Sequence, residues 1–325
     1  MNMSAFVLSH EVLIRLGAFF GVLAIMTLWE LIAPRRTLTA PKMLRWMNNL
    51  GITFLNSFLL RIIFPAAAAG MATFAQKHGW GIFNYFRLPH SMVVVVSVII
   101  MDFAIYLQHV MFHAVPVFWR MHRMHHADPD IDVTTGVRFH PFEIILSMLI
   151  KFAVIAALGT PVLAVVVFEV TLNATSLFNH GNVRILRSVD SVLRWFMVTP
   201  DMHRVHHSME GYETNSNFGF NLPWWDRWLG TYRAQPRMGH EGMAIGLRDF
   251  QDTKRCITLP GMLAIPFIGK VTAYAITSRT WRNQKMAINL MRSRFVISDR
   301  ESAALRFQEP YQGKSFSFND DKSLP

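Results

Sequence analysis

Hydrophobic residues in this chain fall into long blocks rather than alternating or recurring along one face. The blocks cover residues 12–33, 50–75 and 92–114, followed by a close pair at 142–158 and 161–178. Each approaches the ~20 apolar residues that a helix needs to cross a bilayer. Polar and helix-breaking residues punctuate them. Pro34 with Arg35 and Arg36 ends the first block, Arg61 and Pro65 interrupt the second, and Gly159 and Pro161 split the last pair into a tight helical hairpin. The stretch 257–276 is also apolar but is broken by Pro260, Gly261, Pro266 and Gly269. It predicts an interfacial segment rather than a span. Arg279, Arg282, Lys285, Arg292 and Arg294 follow and predict a tail against anionic lipid, ending in a polar, mobile terminus. The fold expected is all-α: a polytopic membrane protein with about four to five transmembrane or hairpin helices and a helical cap rich in histidine. Its regions are a transmembrane part at 1–90, a central domain at 91–235, and an interfacial segment with a basic and polar tail at 236–325.

Composition sharpens this picture. Hydrophobic residues make up 52% of the 325, the formal net charge is +11, and mean hydropathy is +0.26. The polar start runs straight into an apolar block with no small-residue cleavage site, which predicts no cleaved signal. Between the first two blocks stand Arg35, Arg36, Lys42 and Arg45, whereas the 76–90 loop holds Lys77 and Arg87. The excess of cations puts the first loop in the cytoplasm and the amino terminus outside. The third block then delivers its carboxyl end to the cytoplasm, and the hairpin goes out and returns to that side. One cysteine, Cys256, excludes an internal disulfide framework, a CxxC zinc site and a thiolate-held iron–sulfur cluster.

The chemistry lies at those cytoplasmic ends. HVMFH closes the third block with His109 and His113, and HRMHH follows with His122, His125 and His126. A second HxxHH, HRVHH, carries His203, His206 and His207 beyond the hairpin. Spacings of three and four return to one helical face, so each triplet aims its imidazoles at one point. Eight such nitrogens exceed the four that close a structural zinc site, and they suit two metal ions. Imidazole accepts zinc, copper, iron or nickel. A nitrogen-rich iron pair at a lipid interface suits activation of dioxygen against an unactivated C–H bond. HExxH is absent, because His10–Glu11 and His240–Glu241 lack the second histidine, which argues against a zincin protease. A non-catalytic metal- or haem-binding electron-transfer membrane protein, such as a bis-histidine haem protein, is the alternative from another class. It needs only paired histidines and leaves the triplets unexplained.

The runs DFAIYLQHVMFH, FWRMHRMHHADPDIDVTTGVRFHPFE, FNHGN, TPDMHRVHHS and NSNFGFNLPWWDRWLGTYR, together spanning about 102–233, resemble the fatty acid hydroxylase/sterol desaturase superfamily. Within it the likeness is to the bacterial-type sterol desaturase-like group. The fatty acid 2-hydroxylase branch has a further HxxxH whose first position here is Ser176. The resemblance implies a membrane-embedded, O2-dependent oxidoreductase that hydroxylates or desaturates a lipid or sterol-like substrate; a carotenoid or alkyl-ether hydroxylase is the runner-up among enzymes. It implies two iron ions held by His109, His113, His122, His125, His126, His203, His206 and His207, with electrons from an external cytochrome b5-like or ferredoxin-like donor and its reductase. It further implies a bacterial inner membrane, or the endoplasmic reticulum in a eukaryote. His180 in FNHGN stands at a ligand position of the family motif and is expected as a ninth ligand. His140, before Pro141, is expected to hydrogen-bond Glu143 instead.

Three further readings complete the sequence. Asp102 lies in mid-span, where a charge is costly. It stands two turns before His109 and either orients that imidazole or pairs with Arg61. Trp224, Trp225, Trp228 and Tyr232 read as an interfacial belt. GxGxxG and CxxCH do not occur, no nucleic-acid partner is implied, and reducing electrons must come from another protein.

Overall fold

A computed structural model describes residues 3–86, 88–270 and 276. The basic residues from Arg279 to Arg294 and the polar terminus lie outside the described residues. The helices are α1 (Met3–Ser9), α2 (Glu11–Ile32), α3 (Lys42–Ile63), α4 (Ala67–Lys77), α5 (His90–Ala114), α6 (Pro116–His126), α7 (Pro141–Leu158), α8 (Val162–Asn179), α9 (Arg187–Leu193) and α10 (Pro200–His206). Shorter helices follow: α11 (Gly211–Thr214), α12 (Trp224–Trp228), α13 (Gly239–Gly242), α14 (Thr253–Ile257) and α15 (Leu259–Ala264). Among the described residues there is no strand beyond the isolated bridges Pro34–Val183 and Ser208–Ile245.

Proline sets where most of the functional helices start. Pro116, Pro141 and Pro200 open α6, α7 and α10, where a missing N–H costs nothing and φ is already helical. Gly159, at φ 71°, stops α7 in the left-handed conformation. Five segments are long and apolar enough to cross a membrane: Glu11–Ile32, Lys42–Asn84, His90–Ala114, Pro141–Leu158 and Val162–Asn179. The chain is an integral membrane protein of all-α architecture. α8 is its hub, touching α1, α2, α4, α5 and α10.

The second apolar block differs from the single interrupted span expected at 50–75. It extends over Lys42–Asn84 and holds two helices. Pro65 breaks it after α3, and Ala67 takes φ 50° before α4 resumes. α4 then packs its fully buried Ala68, Ala72 and Ala75 against α7 and α8. At the same end of the bundle the α7–α8 turn meets the 79–84 loop, where a Cβ on Gly81 would strike the backbone of Gly159.

The other end of the bundle is knitted by polar groups. Arg35 N–H donates to Asn182 O and Arg184 N–H to Ala33 O, both at 2.9 Å, so the ends of α2 and α8 lie level. Glu30 Oε1 accepts from Val133 N–H at 2.7 Å and Asn182 N–H at 2.8 Å. On α3 the residues Arg45, Asn49 and Asn56, spaced four and seven apart, form a buried polar stripe down an otherwise apolar helix. That stripe receives the 128–139 loop. Arg45 pairs with Asp128 at 2.9 Å and Asp132 at 2.7 Å, all three fully buried. Asn49 donates to Thr134 Oγ1 at 3.0 Å, and Asn56 to Phe139 O at 2.8 Å.

Two of the cations read as topology markers therefore have specific work at this end. Arg45 neutralises two buried aspartates, and Arg35 pairs with Asp201 at 3.3 Å and Glu241 at 2.8 Å.

Candidate metal centre

All nine cluster histidines converge at the carboxyl ends of α5 and α8. His109 and His113 come from the last turns of α5, and His122, His125 and His126 from α6. His180 follows α8, His203 and His206 lie in α10, and His207 lies just after it. They divide into two groups whose candidate ligand nitrogens lie within 4.8 Å of one another: His109, His113, His122, His126 and His206; and His125, His180, His203 and His207. The triplets do not each aim at one point, as their spacing had suggested. His122 and His126, four apart, share the first group and leave His125 to the second. His203 and His207, four apart, share the second and leave His206 to the first. The i,i+4 partners share a face, and the residue between them is rotated onto the neighbouring group. The two groups adjoin, with ring centroids 4.6 Å apart for His126–His207 and 5.1 Å for His203–His206.

The ring nitrogens tell which way each imidazole is set. Nδ1 of His109 meets Phe218 O at 2.8 Å, that of His125 meets Arg138 O at 3.0 Å, that of His180 meets Ser176 O at 2.7 Å and that of His206 meets Ser216 O at 2.8 Å. A carbonyl accepts only, so each Nδ1 carries the proton and each Nε2 presents a lone pair. The Nε2 atoms of His125 and His180 then face each other at 3.1 Å. Two lone pairs at that distance repel unless a cation lies between them. Nε2 of His206 and both ring nitrogens of His207 are buried with no hydrogen-bond partner. These orphaned donor atoms fit metal ions.

Burial disfavours the charged form of His125, His126, His180, His203, His206 and His207. Desolvation, followed by the neighbouring imidazoles, holds His125, His126, His203, His206 and His207 well below the ordinary histidine range. Burial likewise pushes His180 down to about 3. Neutral imidazole is the form that coordinates metal. Aromatic side chains close the periphery: Phe139 stacks on His125 at 4.6 Å, and Phe218 lies 5.1 Å from His113.

Glu143 stands against His122, not His140. Its Oε1 accepts from Nδ1 of His122 at 2.7 Å, with both side chains buried. His140 instead caps α7, its Nδ1 accepting from Phe142 N–H at 3.3 Å, while Nε2 donates to Leu263 O at 3.4 Å. It belongs to neither group. Asp102 meets neither partner proposed for it. Its Oδ2 accepts from Trp225 Nε1 at 2.7 Å and Leu222 N–H at 3.3 Å. Nδ1 of His109 is taken by Phe218 O, and Arg61 is exposed toward Pro65 O. Asp102 thus fixes the 218–226 loop that supplies the carbonyl for His109. Trp225 is buried by this bond, so the aromatic run splits, with Trp228 facing out.

Sequence reasoning missed the residues that hold the rings. Asn215 Oδ1, 3.1 Å from Nδ1 of His113, Ser216 O and Phe218 O all come from the NSNFGF run. That run was visible as a motif but carries no spacing that points to its partners.

Comparison with known proteins places this geometry. Residues 94–231 match the fatty acid hydroxylase family. Among curated proteins the chain is similar to ornithine lipid hydroxylase OlsE of Rhizobium tropici, 27% identical over 67% of each chain. It is also similar to the alkylglycerol monooxygenases of Xenopus tropicalis, 25% identical over 62% of this chain and 45% of that one, and of Homo sapiens, 27% identical over 47% and 33%. The match thus spans less than half the length of either alkylglycerol monooxygenase. No solved structure matches.

Proposed function

Because the chain belongs, through residues 94–231, to the fatty acid hydroxylase superfamily, we propose that it is a membrane-bound, O2-dependent di-iron oxidoreductase that hydroxylates a lipid. The observation that carries this reading is the division of nine inward imidazoles into adjoining groups of five and four, with lone pairs opposed across the gap between His125 and His180. His109, His113, His122, His126 and His206 would hold one iron, and His125, His180, His203 and His207 the other. The iron pair would supply activation of dioxygen toward a C–H bond. The protein supplies the rest: backbone carbonyls fix the tautomer of four rings, phenylalanines seal the imidazoles from water, and the apolar spans bring an acyl chain from the bilayer. Imidazoles packed ring against ring leave no slot for a porphyrin plane, which weighs against a haem electron carrier.

Two of the relatives described are a lipid hydroxylase and a monooxygenase by name. They favour oxygen insertion over desaturation and a polar lipid over a sterol; an alkyl-ether lipid is the second reading they support. Both reducing electrons come from a separate cytochrome b5-like or ferredoxin-like donor with its reductase. The histidine end faces the cytoplasm, at a bacterial inner membrane or, in a eukaryote, the endoplasmic reticulum. Single cysteines near Lys42 and Met209 should label from that side, and one near Gly79 from the other.

The experiment that tests the function is a comparison of cellular lipids with and without the protein, joined to metal analysis of the purified chain. A lipid heavier by one oxygen and about two irons per chain support it. Iron without any lipid change, or a haem spectrum, overturns it.

A further inference from the structure

α9 is built inside out. Its charged pair, Asp190 and Arg194, points into the protein and closes a bond of 2.7 Å with both side chains nearly buried. Arg194 also donates to Ala234 O at 2.6 Å and accepts from Arg227 Nη2 through its own carbonyl at 3.0 Å. The outer face of the same short segment carries Leu186, Val189, Val192, Trp195 and Phe196, all exposed, with Ser188 and Ser191 exposed among them. A helix at a water-facing surface puts its charges outward and its apolar stripe inward. This one does the reverse, as the spans do against lipid.

The neighbouring turn repeats the inversion. In α12 Asp226 is fully buried, its carboxylate accepting from Phe218 and Gly219 N–H at 2.8 Å, whereas Trp228 is 71% exposed. Trp224 Nε1 donates to Trp195 O at 2.7 Å, which joins the two outward faces. Arg227 lies over the Trp195 ring at 4.2 Å.

The position of this surface names its occupant. The Pro34–Val183 bridge fixes the chain just before Leu186 at the end of the membrane-spanning α2. The apolar face of α9 therefore begins at the level of the end of α2, whose Leu31 and Ile32 are themselves exposed. Arg184 and Arg187 stand exposed beside it. Cations next to an apolar face match the headgroup layer above an acyl boundary.

We propose that the outward faces of α9 and α12 form a monotopic foot, immersed in the headgroup–acyl boundary of the leaflet at the histidine end. The foot seats the segment that runs directly into α10, so His203, His206 and His207 are held against the membrane surface. A contiguous apolar patch of this kind marks an interaction site, and the foot commits it to lipid rather than to a partner protein.

A cysteine scan from position 186 to 196 in the otherwise native chain tests the foot. The buried Cys256 is the labelling blank, and iron content verifies that each variant is folded. The chain is reconstituted in phosphatidylcholine–phosphatidylglycerol vesicles, and each cysteine carries an environment-sensitive fluorophore. Labels at 189, 192 and 196 should emit to the blue and be quenched by spin-labelled lipid but not by iodide. A label at Glu210, exposed on the cap, should show the opposite. Iodide quenching at 189 and 192 would overturn the foot. So would shielding that disappears when the protein is diluted in lipid, since it would mean that a second copy covers the face.

Discussion

The two histidine groups are held by different kinds of partner. In the group of five, His122 leans on the carboxylate of Glu143 and His113 on the amide of Asn215, with backbone carbonyls behind His109 and His206. In the group of four, the outer hydrogen bonds given by His125 and His180 both go to backbone carbonyls. A carboxylate behind an imidazole strengthens it as a donor and fixes its orientation. The groups are therefore unequal in number and in partners: one has five rings with a carboxylate side chain against His122, whereas the other has four, two of them set by backbone carbonyls. If both groups hold iron as proposed, the group of four would be the place for an open coordination position and the group of five for the more tightly held ion.

The largest effect expected is from removing a ring. His206→Ala should weaken iron binding in the group of five and spare the other, and His180→Ala should do the reverse. Turnover should fall to background in both. Iron content and spectroscopy of the remaining ion check this, and loss of both irons from either variant would break the division into two groups. Chelation should inactivate the enzyme, and ferrous iron with reductant should restore it, whereas restoration by zinc alone would indicate hydrolytic chemistry.

Next comes the support shared by both groups. Arg45→Met leaves Asp132 buried without its cation and Asp128 with only Arg138 at 4.0 Å, a loss of about 3–5 kcal/mol. The 128–139 loop should become protease-sensitive, while the spans remain helical by circular dichroism. An unchanged digestion pattern would show that the pair is dispensable.

Glu143 sharpens the inequality itself. Glu143→Ala should weaken iron at the group of five by roughly 10–100-fold and spare the group of four, and Glu143→Gln should recover part of it. Competitive chelation resolves the two ions, and equal weakening of both would remove the distinction.

The smallest effect should come from His140→Ala, which removes a helix cap worth about 1 kcal/mol and a long bond to Leu263 O. Both irons should stay, with a slight fall in thermal stability. Loss of an ion would make His140 the ligand that His180 is proposed to be.

Much of this was legible in the chain. The apolar blocks gave the spans because bilayer thickness leaves helices little choice of length, and the doubled HxxHH together with HVMFH singled out eight of the nine rings. What was hidden depends on tertiary approach. The stripe Arg45, Asn49 and Asn56 looked like tolerated polarity in a span and a loop charge. Only the docked 128–139 loop shows it to be a receptor. Glu143 is three residues from His140 in sequence, so the local partner seemed the natural one, but α7 turns its carboxylate toward α6. The second apolar block looked like one span because hydropathy does not register the φ of Ala67.

Neither histidine group is complete within a contiguous stretch. The group of five waits for His206, and the group of four waits for His203 and His207. Both therefore depend on α10, made after all five candidate spans. During synthesis Arg45 is in place long before the aspartates it must neutralise, and the spans are laid down before either site can close. On the proposed di-iron reading, metallation would be a final step of biogenesis, since a chain stopped before residue 203 has imidazoles but no finished cage. That order would delay redox chemistry until the scaffold around it has been built.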